Sequence, residues 1–261
     1  MNKAPFTVVQ YRQALKQQTL SKMQVELLLA HYWMPKRTTT AKELAKAIAL
    51  TAYQVVNAQY GGLAGKLIDK IGAPWPADRV NMNAIAKMWY DQEWHWQMWP
   101  EVSDALESTG LIEPTSPEIE PYWPQRLGNH AGPTDREAII KQRVVQGRFR
   151  YSLLQIWDSA CSVTGANDAS MLVASHIKPW RLCLDEERLD PYNGLLLSPN
   201  LDRAFDKGYI SFADDGSLLI QSGREESLRA FGICAGIRLR QLHDRHRHYL
   251  AQHRRLHRYE D

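Results

Sequence analysis

At 261 residues the chain is long enough for one large domain or two small ones. It is 44% hydrophobic and 23% charged, the balance of an ordinary globular protein. No apolar run approaches the ~20 residues that cross a bilayer, so no membrane partner is expected. A net charge of +3 excludes nothing by itself. The N-terminal MNKAPFTVVQYRQALKQQ lacks the apolar core and cleavage site of a signal peptide, which points to a cytoplasmic protein. Cys161, Cys183 and Cys234 form no CxxC pair, so they read as buried free thiols and no structural zinc is expected.

The first part of the chain reads as mainly helical. In SKMQVELLLAHYW, Ser21 is a candidate N-cap, and Met23, Val25, Leu27, Leu28 and Tyr32 share a broad apolar face. Thr40 caps a short helix carrying Leu44, Ala45 and Ile48. After a break at 49–51 a second helix starts from Ala52, which Gly61 and Gly62 are expected to interrupt or pack tightly. Such a pair is a helix-turn-helix. The segment NAIAKMWYDQEWHWQMWP alternates apolar and polar residues on both sides of Asp91–Gln92, a hairpin pattern, and the sum is winged-helix-like. On its second helix Tyr53, Gln54, Asn57 and Gln59 are the residue types that hydrogen-bond base edges, so they are the candidates for DNA recognition. Trp89, Trp94, Trp96 and Trp99 read as the hairpin's packing face rather than a base-stacking pocket.

The stretch EPTSPEIEPYWP carries four prolines, which oppose both helix and sheet interior. The expected organisation is therefore a recognition domain over 1–115, a linker over 116–133, a second domain over 134–223, and a basic helical segment over 224–261. The fold class is α+β. In the last segment seven arginines cluster between 238 and 258, as a phosphate-binding face requires.

The second domain opens with a helix through Ile139, Val144, Phe149, Leu153 and Ile156. MLVASHI then reads as a strand ending at Ser175–His176, a loop follows, and Asn193–Gly194 opens a second strand, LLLS. Pro199 starts a helix that stops at Gly208, and GYISFADDGSLLIQS is a hairpin turning at Asp214–Asp215–Gly216. This strand–loop–strand–helix order is a ββα unit. Asp202 and Asp206 lie four apart on one helix face, where both can meet a hard cation such as Mg²⁺. Phosphodiester cleavage needs such a Lewis acid and a base to activate water. His176, the only histidine between His130 and His243, is the candidate base, with Asn193 holding the second imidazole nitrogen. Lys178, Arg150, Arg181 and Arg203 are candidate phosphate clamps.

The runs QGRFRYSLLQIWDSACSVTG, LVASHIKPW and RLDPYNGLLLSPNLDRAFDKGYISF together resemble the HNH endonuclease family, also called ββα-metal, over residues 143–222. The resemblance implies His176 as general base and Asn193 as the central asparagine. It implies a divalent metal, Mg²⁺ or Mn²⁺, on Asp202 and Asp206. Ser175 stands where many members carry a histidine or carboxylate; its hydroxyl is a weak third ligand, with water completing the shell. The implied partner is double-stranded DNA, in an enzyme similar to bacterial restriction or phage-defence nucleases, including those that read modified DNA. Cutting both strands from one site calls for a homodimer or two sequential nicks. The alternatives are a winged-helix regulator with a degenerate, non-catalytic ββα unit, and a nuclease directed at RNA.

Overall fold

A computed structural model describes residues 3–112 and 133–259, with the side chains of 133–136 left aside. The expected linker therefore lies outside the described residues, apart from Pro133. Two compact units emerge, Met1–Arg148 and Phe149–Asp261, and both mix helix with small sheets, as expected for α+β. The division falls inside one long helix, Pro133–Ile156, whose earlier turns belong to unit 1 and whose last turns belong to unit 2.

Unit 1 runs α1 (Val8–Lys16), α2 (Lys22–Trp33), β1 (Thr38–Thr40), α3 (Ala41–Ala47), α4 (Tyr53–Ile71), β2 (Ala86–Asp91), β3 (Glu93–Met98) and α5 (Pro100–Ser108), before α6, the long helix. Local sequence starts three of these helices. Thr7 with Gln10, Ser21 with Gln24 and Thr40 with Glu43 each form a capping box that satisfies two otherwise orphaned donors. β2 and β3 form the expected hairpin, with Gln92 at φ 58° making the turn. β1 joins through β3, Thr39 facing Trp96, so the sheet order is β1-β3-β2.

Two expectations change here. α2 does not bury one face: Val25 and everything from Leu27 to Trp33 are buried, so it is the central helix of the unit. α4 runs unbroken through Gly61 and Gly62, and a Cβ at either would meet nothing within 4 Å, so they neither break the helix nor pack it. Each costs the helix about 1 kcal/mol relative to alanine.

His31 ties unit 1 together. Its Nε2 lies 3.0 Å from the Arg37 carbonyl and 3.1 Å from that of Trp96, while Nδ1 lies 2.8 Å from the Tyr60 hydroxyl. Carbonyls only accept, so Nε2 carries the proton and Tyr60 donates to Nδ1. One neutral imidazole thus joins α2, β3 and α4.

Unit 2 holds the end of α6, then β4 (Val173–His176), β5 (Gly194–Leu197), α7 (Pro199–Asp206), β6 (Ile210–Phe212), β7 (Leu218–Ile220), α8 (Glu225–Arg229) and α9 (Asp244–Leu256). β4 and β5 are antiparallel, with His176 opposite Gly194 and Ser175 opposite Leu195, and α7 packs on both strands. Pro199 opens α7, and Gly208 at φ 68° follows its end. β6 and β7 form the second expected hairpin. The core joins Phe149 and Leu153 of α6, and Trp157 just past its end, to Leu195–Leu197, Phe205, Phe212 and Leu250.

The basic C-terminal segment is partly built into this fold. Arg254 is buried and donates to the Phe212 carbonyl and to Asp214. Arg245 pairs with Asp190, and Arg247 with Asp244. Of the seven arginines expected to form a phosphate-binding face, Arg254 is taken into the fold, while Arg238, Arg240, Arg245, Arg255 and Arg258 stay exposed. Of the cysteines, Cys161 and Cys183 are buried as expected, while Cys234 is exposed.

Candidate active site

β4 ends on His176. Strand alternation puts His176 and Gly194 on one face and Ser175 on the other. The imidazole stacks on the Phe149 ring, 3.7 Å between centroids at 12°, and meets the edge of Trp180 at 5.2 Å. Its Nε2 lies 3.2 Å from the Arg188 carbonyl, which can only accept. Nε2 is therefore the protonated nitrogen, and Nδ1 keeps its lone pair. Burial pushes the pKa of His176 below the usual imidazole value, against a smaller opposing pull from the Arg188 carbonyl. The ring is neutral at pH 7, the state a general base needs.

Gly194 has to be small. A Cβ there would lie 2.5 Å from Phe149 Cζ and 2.8 Å from Leu153 Cδ2. Phe149 cannot yield without moving the face on which His176 stacks. We expect Gly194→Ala to lower stability by about 1–3 kcal/mol and to slow catalysis as well. Thermal unfolding and turnover measured on the same preparation check this; an unchanged midpoint would refute the close packing.

Asn193 takes a different role from the one expected. It is buried; its Oδ1 accepts from the Lys178 amide at 2.8 Å, and its Nδ2 donates to the Glu187 carbonyl at 3.0 Å and to Cys183 Sγ. It does not hold the imidazole. It closes the 178–192 loop, and the carbonyl it grips belongs to the residue before Arg188, whose carbonyl holds His176. Asn193 positions the base one peptide removed.

Two of the four expected phosphate clamps are engaged elsewhere. Arg150 is buried and donates to the carbonyls of Leu172 and Ala169, both at 2.7 Å, because the α6 face it occupies packs inward. Lys178 is paired with both oxygens of Glu187, at 2.8 and 2.6 Å, and its ammonium holds that carboxyl below the usual range. Arg181 and Arg203 are exposed. Phe149, Trp180, Glu187 and Arg188 shape the site without having been singled out from the sequence; the acidic-basic run DEER within the loop was the one available signal.

Asp202 and Asp206 both sit on α7, four residues apart and so on one side of it. Partial burial pushes the Asp206 carboxyl above its usual range, opposed by Arg203, Lys207 and His257. Ser175 is buried, and its Oγ has no hydrogen-bond partner. A hydroxyl and two carboxylates are oxygen donors, the chemical type that hard cations take. Among the described residues no group of three or more His, Cys, Asp or Glu is placed to hold a metal.

In unit 1, Tyr53, Gln54 and Asn57 are exposed on the first turns of α4, and Gln59 is half-buried. The tryptophans divide: Trp96 and Trp99 are core residues, Trp89 is half-buried, and Trp94 is exposed. Trp94 packs edge to face against Tyr90, its partner across the hairpin. No helix among the described residues is long and apolar enough to cross a membrane.

Residues 161–213 match the family model described as HNH endonuclease. No curated protein matches the chain. The matched span holds His176, Asn193, Asp202 and Asp206, so an HNH unit lies in the C-terminal part of the chain. The match supports a nuclease-type domain and with it a nucleic-acid substrate.

Proposed function

We propose that unit 2 hydrolyses DNA phosphodiester bonds with a divalent cation, Mg²⁺ or Mn²⁺, and that unit 1 brings it to DNA. The observation that carries this is the single hydrogen bond from His176 Nε2 to the Arg188 carbonyl, within the span matching the HNH family. It leaves Nδ1 as a fixed, neutral proton acceptor. Asp202 and Asp206 would hold the cation, with Ser175 and water completing the shell; when bound it supplies Lewis-acid stabilisation of the phosphate and departing oxygen.

The chain's own groups do the rest. His176 Nδ1 takes a proton from water, and the resulting hydroxide attacks phosphorus. The bond from phosphorus to the 3′ oxygen breaks, and that oxygen takes up a proton from solvent. The products carry 5′-phosphate and 3′-hydroxyl ends. Phe149 and Trp180 restrain the imidazole plane, and Asn193 holds the loop that presents the Arg188 carbonyl. Arg181 and Arg203, both exposed, are the cations left to meet phosphate.

For unit 1, the order α2, β1, α3, α4, then the β2–β3 hairpin with β1 pairing to β3, supports a winged-helix reading. α4 would enter the major groove with Tyr53, Gln54, Asn57 and Gln59. Nuclease and reader in one chain fit a restriction or phage-defence enzyme, with modified DNA among its possible targets and a homodimer as one route to double-strand cuts.

Substitution at the helix tests the metal assignment. Asp202→Ala is expected to raise the Mn²⁺ concentration needed for half-maximal cleavage at least tenfold, with Asp206→Ala weaker or equal. Cleavage whose metal dependence is unmoved by both would contradict it. A second reading, a non-catalytic DNA-binding regulator, is favoured because no group of three or more His, Cys, Asp or Glu among the described residues is placed to hold a metal. Tight metal-independent binding without cleavage would select it.

A further inference from the structure

Unit 1 contains a half-open pocket of about 660 Å³ between the start of α4 and the β2–β3 hairpin. That lies within the ~300–1,000 Å³ typical of small-molecule sites. Its aromatic walls are displayed rather than packed: Tyr53 is 40% exposed, Tyr90 66% and Trp94 54%. Tyr90 and Trp94 face each other across the hairpin, 5.6 Å apart edge to face. The Tyr90–Trp94 pair steadies the hairpin, yet three large rings displayed around one hollow leave more apolar surface in water than the hairpin needs, as a binding surface does.

The helix side is cut back to make the room. Tyr53, Asn57 and Gly61 recur every four residues along α4 and all line the pocket. An alanine at Gly61 would meet nothing within 4 Å and would favour the helix, so the missing side chain serves the cavity rather than the packing. Polar groups stand beside the rings. Asn57 brings an amide with both donors and an acceptor. Lys42, exposed and 3.4 Å from Glu93, brings a positive charge.

We infer that this pocket takes a single unpaired nucleobase turned out of the DNA, stacked on Trp94 and Tyr90, with its edge on Asn57 and the adjoining phosphate near Lys42. This rests on the reading of unit 1 as the DNA-contacting unit. A base offers what the pocket is built for: a flat π-face for the rings, a donor–acceptor edge for the amide, and a phosphate for the cation. A single peptide side chain does not bring a flat ring face, a donor–acceptor edge and a phosphate together as one nucleotide does.

The test uses the full chain in EDTA, with three otherwise identical duplexes: fully paired, carrying one unpaired thymine, or carrying an abasic residue in its place. Fluorescence anisotropy should show the unpaired base bound about tenfold more tightly than the abasic duplex. Trp94→Ala and Gly61→Leu, each shown folded by its thermal transition, should reduce that ratio to within twofold. An unpaired 5-iodouracil should photo-crosslink to Trp94, Tyr90 or Tyr53. A ratio near one in the unaltered chain, or a ratio unmoved by both substitutions, overturns the pocket assignment. If crosslinks still form elsewhere in unit 1, the DNA-contacting role of that unit survives; crosslinks confined to 149–261 overturn both.

Discussion

His176→Ala should cut DNA ~10²–10⁴-fold more slowly than the unaltered chain, the range a positioned general base contributes. DNA binding should hold, because among the described residues the side chain's hydrogen bond is to the Arg188 carbonyl and to no cation that could meet phosphate. The pH profile gives a second readout. Burial holds the folded pKa of His176 below the free imidazole value near 6.5. Only neutral imidazole accepts the proton, so cleavage is lost as pH falls through that lowered value, and the acid limb should lie below pH 6.5. In the alanine variant that limb should vanish along with the rate. A variant as fast as the parent, or an unchanged acid limb, would remove His176 from the base role.

Mild acid should destabilise both units. His31 is fully buried and held down to about 4 by burial. His246 is lowered to about 4 and His253 to about 3, again chiefly by burial. The unfolded chain titrates near 6.5, so between these values it binds more protons than the folded chain. Stability is then complete above pH 6.5 and falls as pH drops toward the folded values. At pH 5 each histidine costs about 2 kcal/mol, one in unit 1 and two in unit 2. Burial keeps the rings neutral, against the carbonyls that His31 and His253 donate to, which favour the charged form. His253 Nε2 faces the Phe205 carbonyl and Nδ1 the Ser211 hydroxyl, a pairing that serves only one neutral tautomer. Thermal unfolding at pH 7.5 and pH 5 checks this. A midpoint equal at both would show that the three rings are not buried neutral.

Much of the local structure was legible in the residues themselves. Ser21 and Thr40 cap their helices as expected, because a cap depends only on the residues beside it; Gln24 and Glu43 complete the capping boxes. Asp91–Gln92 marks the first hairpin through strict alternation on both sides. The strand–loop–strand–helix order around His176 was equally clear, and the family match falls on it.

What was missed depends on partners distant in sequence. β1 is three threonines that become a strand only by lying beside β3. Arg150 looks like a surface cation in a helical pattern, yet it is buried because two carbonyls some twenty residues later receive it. Asn193 was placed on the imidazole, whereas the path of the 178–192 loop brings the Lys178 amide and Glu187 carbonyl to it first. Gly61 read as a helix defect because the sequence cannot show the empty space beside it. The arrangement of Asp202, Asp206 and Ser175 as metal ligands remains a proposal from helix spacing and one orphaned hydroxyl.

The central claim is that unit 2 is a working, metal-dependent DNA nuclease. The most direct test incubates the full chain with plasmid, phage and modified DNA, and with RNA, in Mg²⁺ or Mn²⁺, beside His176→Ala and an EDTA control. The account predicts nicked or linear DNA bearing 5′-phosphate ends, only with the cation and the intact histidine. DNA left whole under every metal, or cleavage confined to RNA, would contradict it.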